Sequence, residues 1–305
     1  MPQGKVTPRM RLSMLALDLI AQLRVHQWVK NILVFVSPFA AHLLFQPGAL
    51  GRLMVVFAAF CAAASGVYIV NDLVDLETDR AHPRKRDRPF ASGRLPLALG
   101  ALGPVLMLVG IGLSFWVSRQ VSLVVVGYLV LSSGYSFYLK TKPLVDVFTL
   151  SALYTIRLYA GEAALQIEPS MWLLSFSGFM FLSLAFLKRV SEYEVMIASK
   201  SEYEMRRGYT HKDAELLKTM GVCSSFIATM VLGLYINTES AAAQYEQPIA
   251  LWASVPIFLF WQSRMWLAAE RGKMTDDPIV YAARDWVSQL CLVMLLAIYL
   301  VASFF

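Results

Sequence analysis

Residues 53–79 read LMVVFAAFCAAASGVYIVNDLVDLETD, and this stretch decides the fold. Its first part, Leu53 to Val70, contains no charged residue and approaches the roughly 20 residues that a helix needs to cross a bilayer. The run ends abruptly on Asn71, Asp72, Asp75 and Asp79. A helix crossing lipid must therefore deliver its carboxylates at the boundary with water, where ionisable groups are costly and functional by default.

The same apolar pattern recurs along the chain. Of 305 residues, 57% are hydrophobic and 16% charged, whereas an ordinary soluble domain has about a quarter of its residues charged. Runs at 32–47, 53–71, 96–117, 120–139, 144–161, 170–187, 216–236, 249–268 and 287–305 predict an all-α, polytopic membrane protein with nine transmembrane helices. Lys and Arg accumulate in loops that stay cytoplasmic. With Lys218 counted with the loop before it, 24 of the 27 Lys and Arg fall in the N-terminal segment, 72–95, 140–143, 188–215 and 264–286. Arg52 and Arg119 lie on the opposite side, and Arg157 lies within a span. The N-terminus is thus expected in the cytoplasm and the C-terminus outside. The net charge of +6 belongs to one face, which points to anionic lipid or a phosphorylated substrate and away from nucleic acid.

Residues 1–31 are expected to form a cytoplasmic interfacial segment and 32–305 a nine-helix catalytic domain with long cytoplasmic loops at 72–95 and 188–215. No cleavable signal is expected, because the first 30 residues lack a basic start followed by an apolar core and a small-residue cleavage site. Leu12, Leu15, Ala16, Leu19, Ile20 and Leu23 form a helical stripe, with Asp18 and Gln22 off it, as in a helix lying on the inner leaflet. Cys61, Cys223 and Cys291 fall in apolar runs and are expected to be buried packing thiols; the four His are scattered, against a His-built metal site. The two long loops follow the second and sixth runs, which suggests an internal duplication. Thr210 to Asp213 and Asp276-Asp277-Pro278 read as helix starts.

At about 100° per residue, Asp72, Asp75 and Asp79 lie within about 60° of one another on a helix, with Asn71 beside them and Glu77 opposite. The outer two are separated by roughly 10 Å along the axis, too far for one ion to touch all three, but within reach of a bridged diphosphate. Mg²⁺ suits such a partial shell, since it takes a few carboxylate oxygens and completes its coordination with water and phosphate. It also reverses the repulsion between carboxylates and an anionic ligand. Arg80, Arg84, Lys85, Arg86, Arg88 and Arg94 follow directly, and Arg can hold phosphate in a bidentate fork. A positive-inside loop would be basic in any case. Asp146 and Arg157 share a helical face at depths about 16 Å apart. Arg157 reads either as part of a bundle-stabilising ion pair or as a contact to substrate.

Asn71-Asp-Leu-Val-Asp75-Leu-Glu-Thr-Asp79, with His82-Pro-Arg-Lys-Arg-Asp-Arg-Pro89 and Ala91-Ser-Gly93, resembles the first signature of the UbiA superfamily of intramembrane prenyltransferases. The resemblance implies nine helices around a lipid-open cavity, with Mg²⁺-dependent chemistry at the cytoplasmic end. Most of that group carry a second Asp-rich motif in the later loop. Here the loop begins Phe186-Leu-Lys188-Arg189-Val-Ser-Glu192-Tyr-Glu194, with cations where anions stand. That departure resembles the polyprenyl-phosphate phosphoribosyltransferase branch. So do Gln27-Trp-Val-Lys30-Asn31, Tyr135 to Lys140 with Lys142 to Phe148, and Ile156-Arg157-Leu-Tyr-Ala-Gly161.

The branch implies phosphoribosyl diphosphate as donor and a polyprenyl phosphate as acceptor, feeding an activated-arabinose pathway from a bacterial plasma membrane. In this reading Asn71, Asp72, Asp75 and Asp79 hold Mg²⁺, and Asp72, Asp75, Lys188 and Arg189 are catalytic. Lys30, Asn31, Arg84, Lys85, Arg86, Arg88, Lys140, Asp146, Arg157 and Glu192 bind substrates. Prenyl transfer to an aromatic acceptor and a non-catalytic lipid-phosphate carrier are the alternatives. Homo-oligomerisation is left open.

Overall fold

The computed structural model describes residues 8–81, 85–198, 208–274 and 277–304, among which there is no strand. The chain divides into two compact units, Met1–Ser136 with Arg157–Ile167, and Phe137–Ile156 with Glu168–Phe305. The first contains α1 (Pro8–Leu23), a 3-10 stretch (Val25–Phe35), α2 (Val36–Ala40), α3 (Ala49–Val74), α4 (Leu76–Ala81), α5 (Leu102–Val117) and α6 (Arg119–Phe137). Helix α7 (Val145–Leu165) contributes to both units. The second contains α8 (Met171–Ala198), α9 (Ala214–Ile236), α10 (Glu239–Gln244), α11 (Ser254–Glu270), α12 (Pro278–Arg284) and α13 (Trp286–Phe304).

Six helical segments among the described residues are long and apolar enough to cross a membrane: Ala49–Val74, Leu97–Val117, Arg119–Phe137, Met171–Glu194, Ala214–Ile236 and Trp286–Phe304. They match six of the nine expected runs. The other three are helical but built differently. The run at 32–47 is a 3-10 stretch followed by a five-residue helix, α7 contains Asp146, Arg157 and Glu162, and α11 has 17 residues.

In the first unit, α3 packs along α5 through small residues. A Cβ on Gly66 would stand 2.6 Å from the Gly103 carbonyl oxygen, and one on Gly110 would stand 2.8 Å from that of Ala59. Backbones come this close only where side chains are absent, as is usual between helices in lipid. In the second unit α8 packs against α9. Trp266 lies over Gly221, and its indole N–H donates to Ser183 Oγ at 3.1 Å. Each unit thus joins two long helices across one of the two long loops.

Cys61 and Cys291 are buried as expected, whereas Cys223 is exposed. An apolar run in lipid can leave a thiol uncovered by protein at no polar cost, so hydrophobic surroundings in sequence do not dictate packing against the chain.

Candidate active site

Helix α3 ends at Val74, and Asp75 caps it without breaking the hydrogen-bond ladder. The Asp75 N–H donates to the Asn71 carbonyl at 2.9 Å, and the Asp79 N–H to the Asp75 carbonyl at 2.8 Å. The helical phase read from the sequence therefore survives the turn. Asp72 and Asp79 are buried, Asp75 is half-buried, and Glu77 is exposed on the other side, paired with Arg80.

The side chains converge more than axial rise alone suggests. Arg88 Nη1 donates to Asp72 Oδ1 at 3.0 Å and to Asp79 Oδ2 at 2.5 Å, so one positive nitrogen sits between two carboxylates. Phe90 and Leu95 explain its placement. They are buried against Ile69 of α3, with Leu23, Leu73 and Leu76 around them, and they pin the basic loop to the helix that carries the acids. Lys85 approaches Asp79 at 3.9 Å, Arg86 is exposed, and Arg84 lies outside the described residues.

Two further contacts come from the N-terminal segment. Gln22 Nε2 donates to Asp72 Oδ2 at 2.8 Å, and Arg24 Nη2 donates to Asp72 Oδ1 at 2.7 Å. Arg94 donates to Asp18 Oδ1 at 2.8 Å. On α1, Leu15, Leu17 and Ile20 are exposed and Leu23 packs against Ile69, Phe90 and Leu95, while Gln22 meets the acidic site and Asp18 the basic loop. Asp18 and Gln22 stood off the stripe in sequence. Nothing local disclosed that a partner 50 residues away awaited one of them.

The donor set fits a hard divalent cation. Two carboxylates face one positive atom, and Asn71 uses Nδ2 on Ser136 Oγ at 2.7 Å, which leaves its carboxamide oxygen as a ligand atom. Among the described residues no group of three His, Cys, Asp or Glu could hold a metal ion alone. Asp72, Asp79 and the Asn71 carboxamide oxygen could hold such a cation only with further oxygens completing its shell.

A second polar group of this unit lies around Arg157. Its Nε donates to Asn31 Oδ1 at 2.8 Å and Nη2 to Tyr128 OH at 3.2 Å, with the guanidinium over the Tyr128 ring. Asn31 also donates to Cys61 Sγ, and Lys30 beside it is buried. These contacts replace the hydration that Arg157 loses at this depth. The sequence placed Asp146 on the same face, but Asp146 pairs elsewhere.

In the second unit Arg189 Nε donates to Asp146 Oδ2 at 2.5 Å, and both side chains are at most 1% exposed. Arg189 Nη1 donates to Glu192 Oε2. Tyr209 OH donates to Asp146 Oδ1 at 2.5 Å while accepting from the Leu144 N–H at 2.8 Å. Burial, and then the bond to Asp146, push the phenol well above its ordinary pKa and keep it a donor. Sequence reading made Arg189 catalytic; in the structure its guanidinium closes a buried pair between α7 and α8. Lys188, next to it and a quarter exposed, donates to Asp277 Oδ2 at 3.2 Å, and Tyr154 OH reaches the same carboxylate. Asp277 also caps α12 through the Ile279 N–H, as its Asp-Pro sequence predicted, and Thr210 with Asp213 forms the expected capping box. Lys140 lies in the 3-10 turn Leu139–Thr141. Tyr209 and the second role of Asp277 were not foreseen, because a Tyr beside a Gly and an Asp before a Pro read locally as turn and cap.

A nine-residue acidic signature at a membrane helix end, followed by a basic loop folded back onto it, defines an intramembrane transferase. The chain belongs to the UbiA prenyltransferase family, whose model matches residues 32–201. It is 34% identical over 237 residues to decaprenyl-phosphate phosphoribosyltransferase of Corynebacterium glutamicum, covering 75% of this chain and 71% of that protein. Nodulation protein NoeC of Azorhizobium caulinodans is 34% identical over 88% of both chains. Protein y4nM of Sinorhizobium fredii is 36% identical over 89% of this chain, which spans only 53% of that relative's length. Among solved structures, a UbiA homolog from Archaeoglobus fulgidus bound to GPP and Mg²⁺ superposes with a TM-score of 0.69 at 15% identity, over 92% of this chain and 99% of that one. That likeness establishes the fold.

Proposed function

We propose that this transferase moves the 5-phosphoribosyl group from phosphoribosyl diphosphate to a long-chain polyprenyl phosphate, releasing diphosphate. The observation that carries the reading is the contrast between the two long-loop regions: Asp72 and Asp79, on α3 and α4, converge on Arg88, whereas α8 carries the partly exposed Lys188 where a second acidic arm is expected. One acidic arm suits a single diphosphate donor, and a lysine in place of the second suits a phosphate monoester, which needs no metal to be held. The 34% identity to a decaprenyl-phosphate phosphoribosyltransferase supports the same choice.

Mg²⁺ held by Asp72, Asp79 and Asn71, with Asp75 at the rim, would neutralise charge on the departing diphosphate. Arg88, with Lys85, Arg86 and Arg84, would bind the donor's phosphates; in this structure its guanidinium is shared between Asp72 and Asp79. Lys188, with Lys30 and Lys140, is assigned to the acceptor phosphate or the donor's 5-phosphate. Arg189, held by Asp146 and Glu192, acts as a positioning residue for Lys188. The acceptor oxygen is already anionic, so it attacks C1 without a general base while the bond from C1 to the diphosphate oxygen breaks. The transition state is oxocarbenium-like, as in glycoside cleavage, and positioning and electrostatics carry the catalysis.

The same reading places nine spans in a bacterial plasma membrane with the N-terminus and the site on the cytoplasmic side. Residues 1–31 lie on the inner leaflet, and the product serves as an arabinose-donor precursor. Purified protein in liposomes should convert labelled phosphoribosyl diphosphate and a polyprenyl phosphate to lipid-linked product only with Mg²⁺. A parallel reaction offers a prenyl diphosphate and hydroxybenzoate. Product in that second reaction alone would overturn the proposal.

A further inference from the structure

The side chain of Gln22 is 1% exposed, and its two polar atoms differ in their circumstances. Nε2 donates to Asp72 Oδ2, while Oε1 is buried with no hydrogen-bond partner among the described residues. The amide cannot be turned round to remedy this. Asp72 accepts from Gln22, Arg24 and Arg88, and a carboxylate surrounded by donors can take only the NH₂ end of an amide. Asp72 therefore fixes Oε1 as a buried acceptor without a partner beside the acidic site. Leu23, packed into the Ile69, Phe90 and Leu95 cluster, holds the backbone so that the amide does not swing away. A buried acceptor left unpaired is costly, by about 1–3 kcal/mol in typical proteins, so such an atom calls for a donor.

The chemistry of that donor can be narrowed. Diphosphate and phosphate oxygens at this site are acceptors and have nothing to offer a carbonyl oxygen. A prenyl chain carries no O–H. A sugar joined directly to the diphosphate brings hydroxyls within a few bonds of it, and a metal-bound water is the other source of an O–H. We propose that Gln22 Oε1 accepts a hydroxyl of the donor's sugar and so selects a sugar diphosphate over a prenyl diphosphate, an inference that rests on the phosphoribosyl-transfer reading. Asp72 then has two functions: its carboxylate serves the diphosphate, and its grip on Nε2 sets the acceptor that reads the sugar.

The test measures binding by calorimetry to the full chain in nanodiscs with Mg²⁺, using wild type and Gln22→Met, which keeps the length of the side chain but removes the amide. The ligands are phosphoribosyl diphosphate, its analogues lacking the 2- or the 3-hydroxyl, inorganic diphosphate and geranyl diphosphate. In wild type, one deoxy analogue should bind about tenfold more weakly than the parent. Gln22→Met should lose about tenfold for the parent but little for inorganic diphosphate, and should no longer distinguish that analogue from the parent. Ratios between ligands are taken on one sample, so a partly misfolded variant does not imitate the result. Equal losses for the parent and inorganic diphosphate would show that Gln22 serves a metal-bound water or Asp72 itself, and would overturn the sugar contact while leaving the functional reading intact. Wild type that binds geranyl diphosphate but not phosphoribosyl diphosphate would instead overturn the functional reading.

Discussion

At the residue scale the acidic site is an arrangement of charges that cannot be left alone. Asp72 is 4% exposed yet accepts from three side chains contributed by α1, the segment after it, and the basic loop. Removing its charge should remove cation binding and leave the neighbouring donors near a neutral amide of the same shape. Asp72→Asn is therefore expected to fold, to lower Mg²⁺-dependent transfer by about 10²-fold or more, and to show it in turnover of labelled donor in liposomes. Full activity would remove Asp72 from the site. The acids were legible in sequence because a three- and four-residue spacing after an apolar run has few other uses. Gln22 and Arg24 were not legible, since their importance depends on a contact about 50 residues away.

At the scale of elements, close helix contact and one buried ion pair hold the two units internally. Gly66 faces the α5 backbone, so Gly66→Val should force α3 and α5 apart and destabilise the protein by about 1–3 kcal/mol, the usual cost of overpacking. Gly112, which meets nothing within 4 Å, is the control: Gly112→Ala should melt like wild type in detergent. The Asp146 and Arg189 pair ties α7 to α8 in the second unit, with both side chains almost wholly buried. Arg189→Met removes the cation that faces the Asp146 carboxylate and leaves it the Tyr209 hydroxyl, Asp146→Leu removes the buried carboxylate from Arg189 and leaves it Glu192, and each should cost up to about 3–5 kcal/mol. The double replacement should recover much of that loss. Thermal unfolding of the four proteins gives the cycle, and additive losses would mean that the pair is not coupled. Sequence periodicity located α7 and the shared face of Asp146 and Arg157, but an ionisable group's partner is a property of packing, and each found its own.

At the scale of the whole molecule, charge asymmetry predicts that the basic loops share one side of the membrane. In a background lacking the three native cysteines, Ser92→Cys in the loop after α4 should resist an impermeant thiol reagent added to intact cells, and Ser118→Cys between α5 and α6 should react. Labelling of Ser92→Cys from outside would reverse the orientation. Six of the nine runs that hydropathy marks are long, apolar helices in the structure, and the other three are helical but shorter or more charged. Hydropathy measures what a segment can bury. It does not register how a 3-10 stretch or a charged helix is accommodated by neighbours.

The sequence by itself determined the all-helical membrane class, the transferase family and the acidic arm from Asn71 to Asp79. The first and the last follow from local composition and short-range periodicity, which covalent spacing preserves in any fold, and the family follows from the resemblance that the motif carries. Tertiary structure alone decided that Arg88 bridges Asp72 and Asp79, that Arg189 is buried on Asp146, and that Gln22 gives its Nε2 to Asp72 and leaves Oε1 buried without a partner. These depend on which distant donors compete for a given carboxylate once water is excluded, and hydrogen-bond satisfaction of that kind is settled only when the chain has packed.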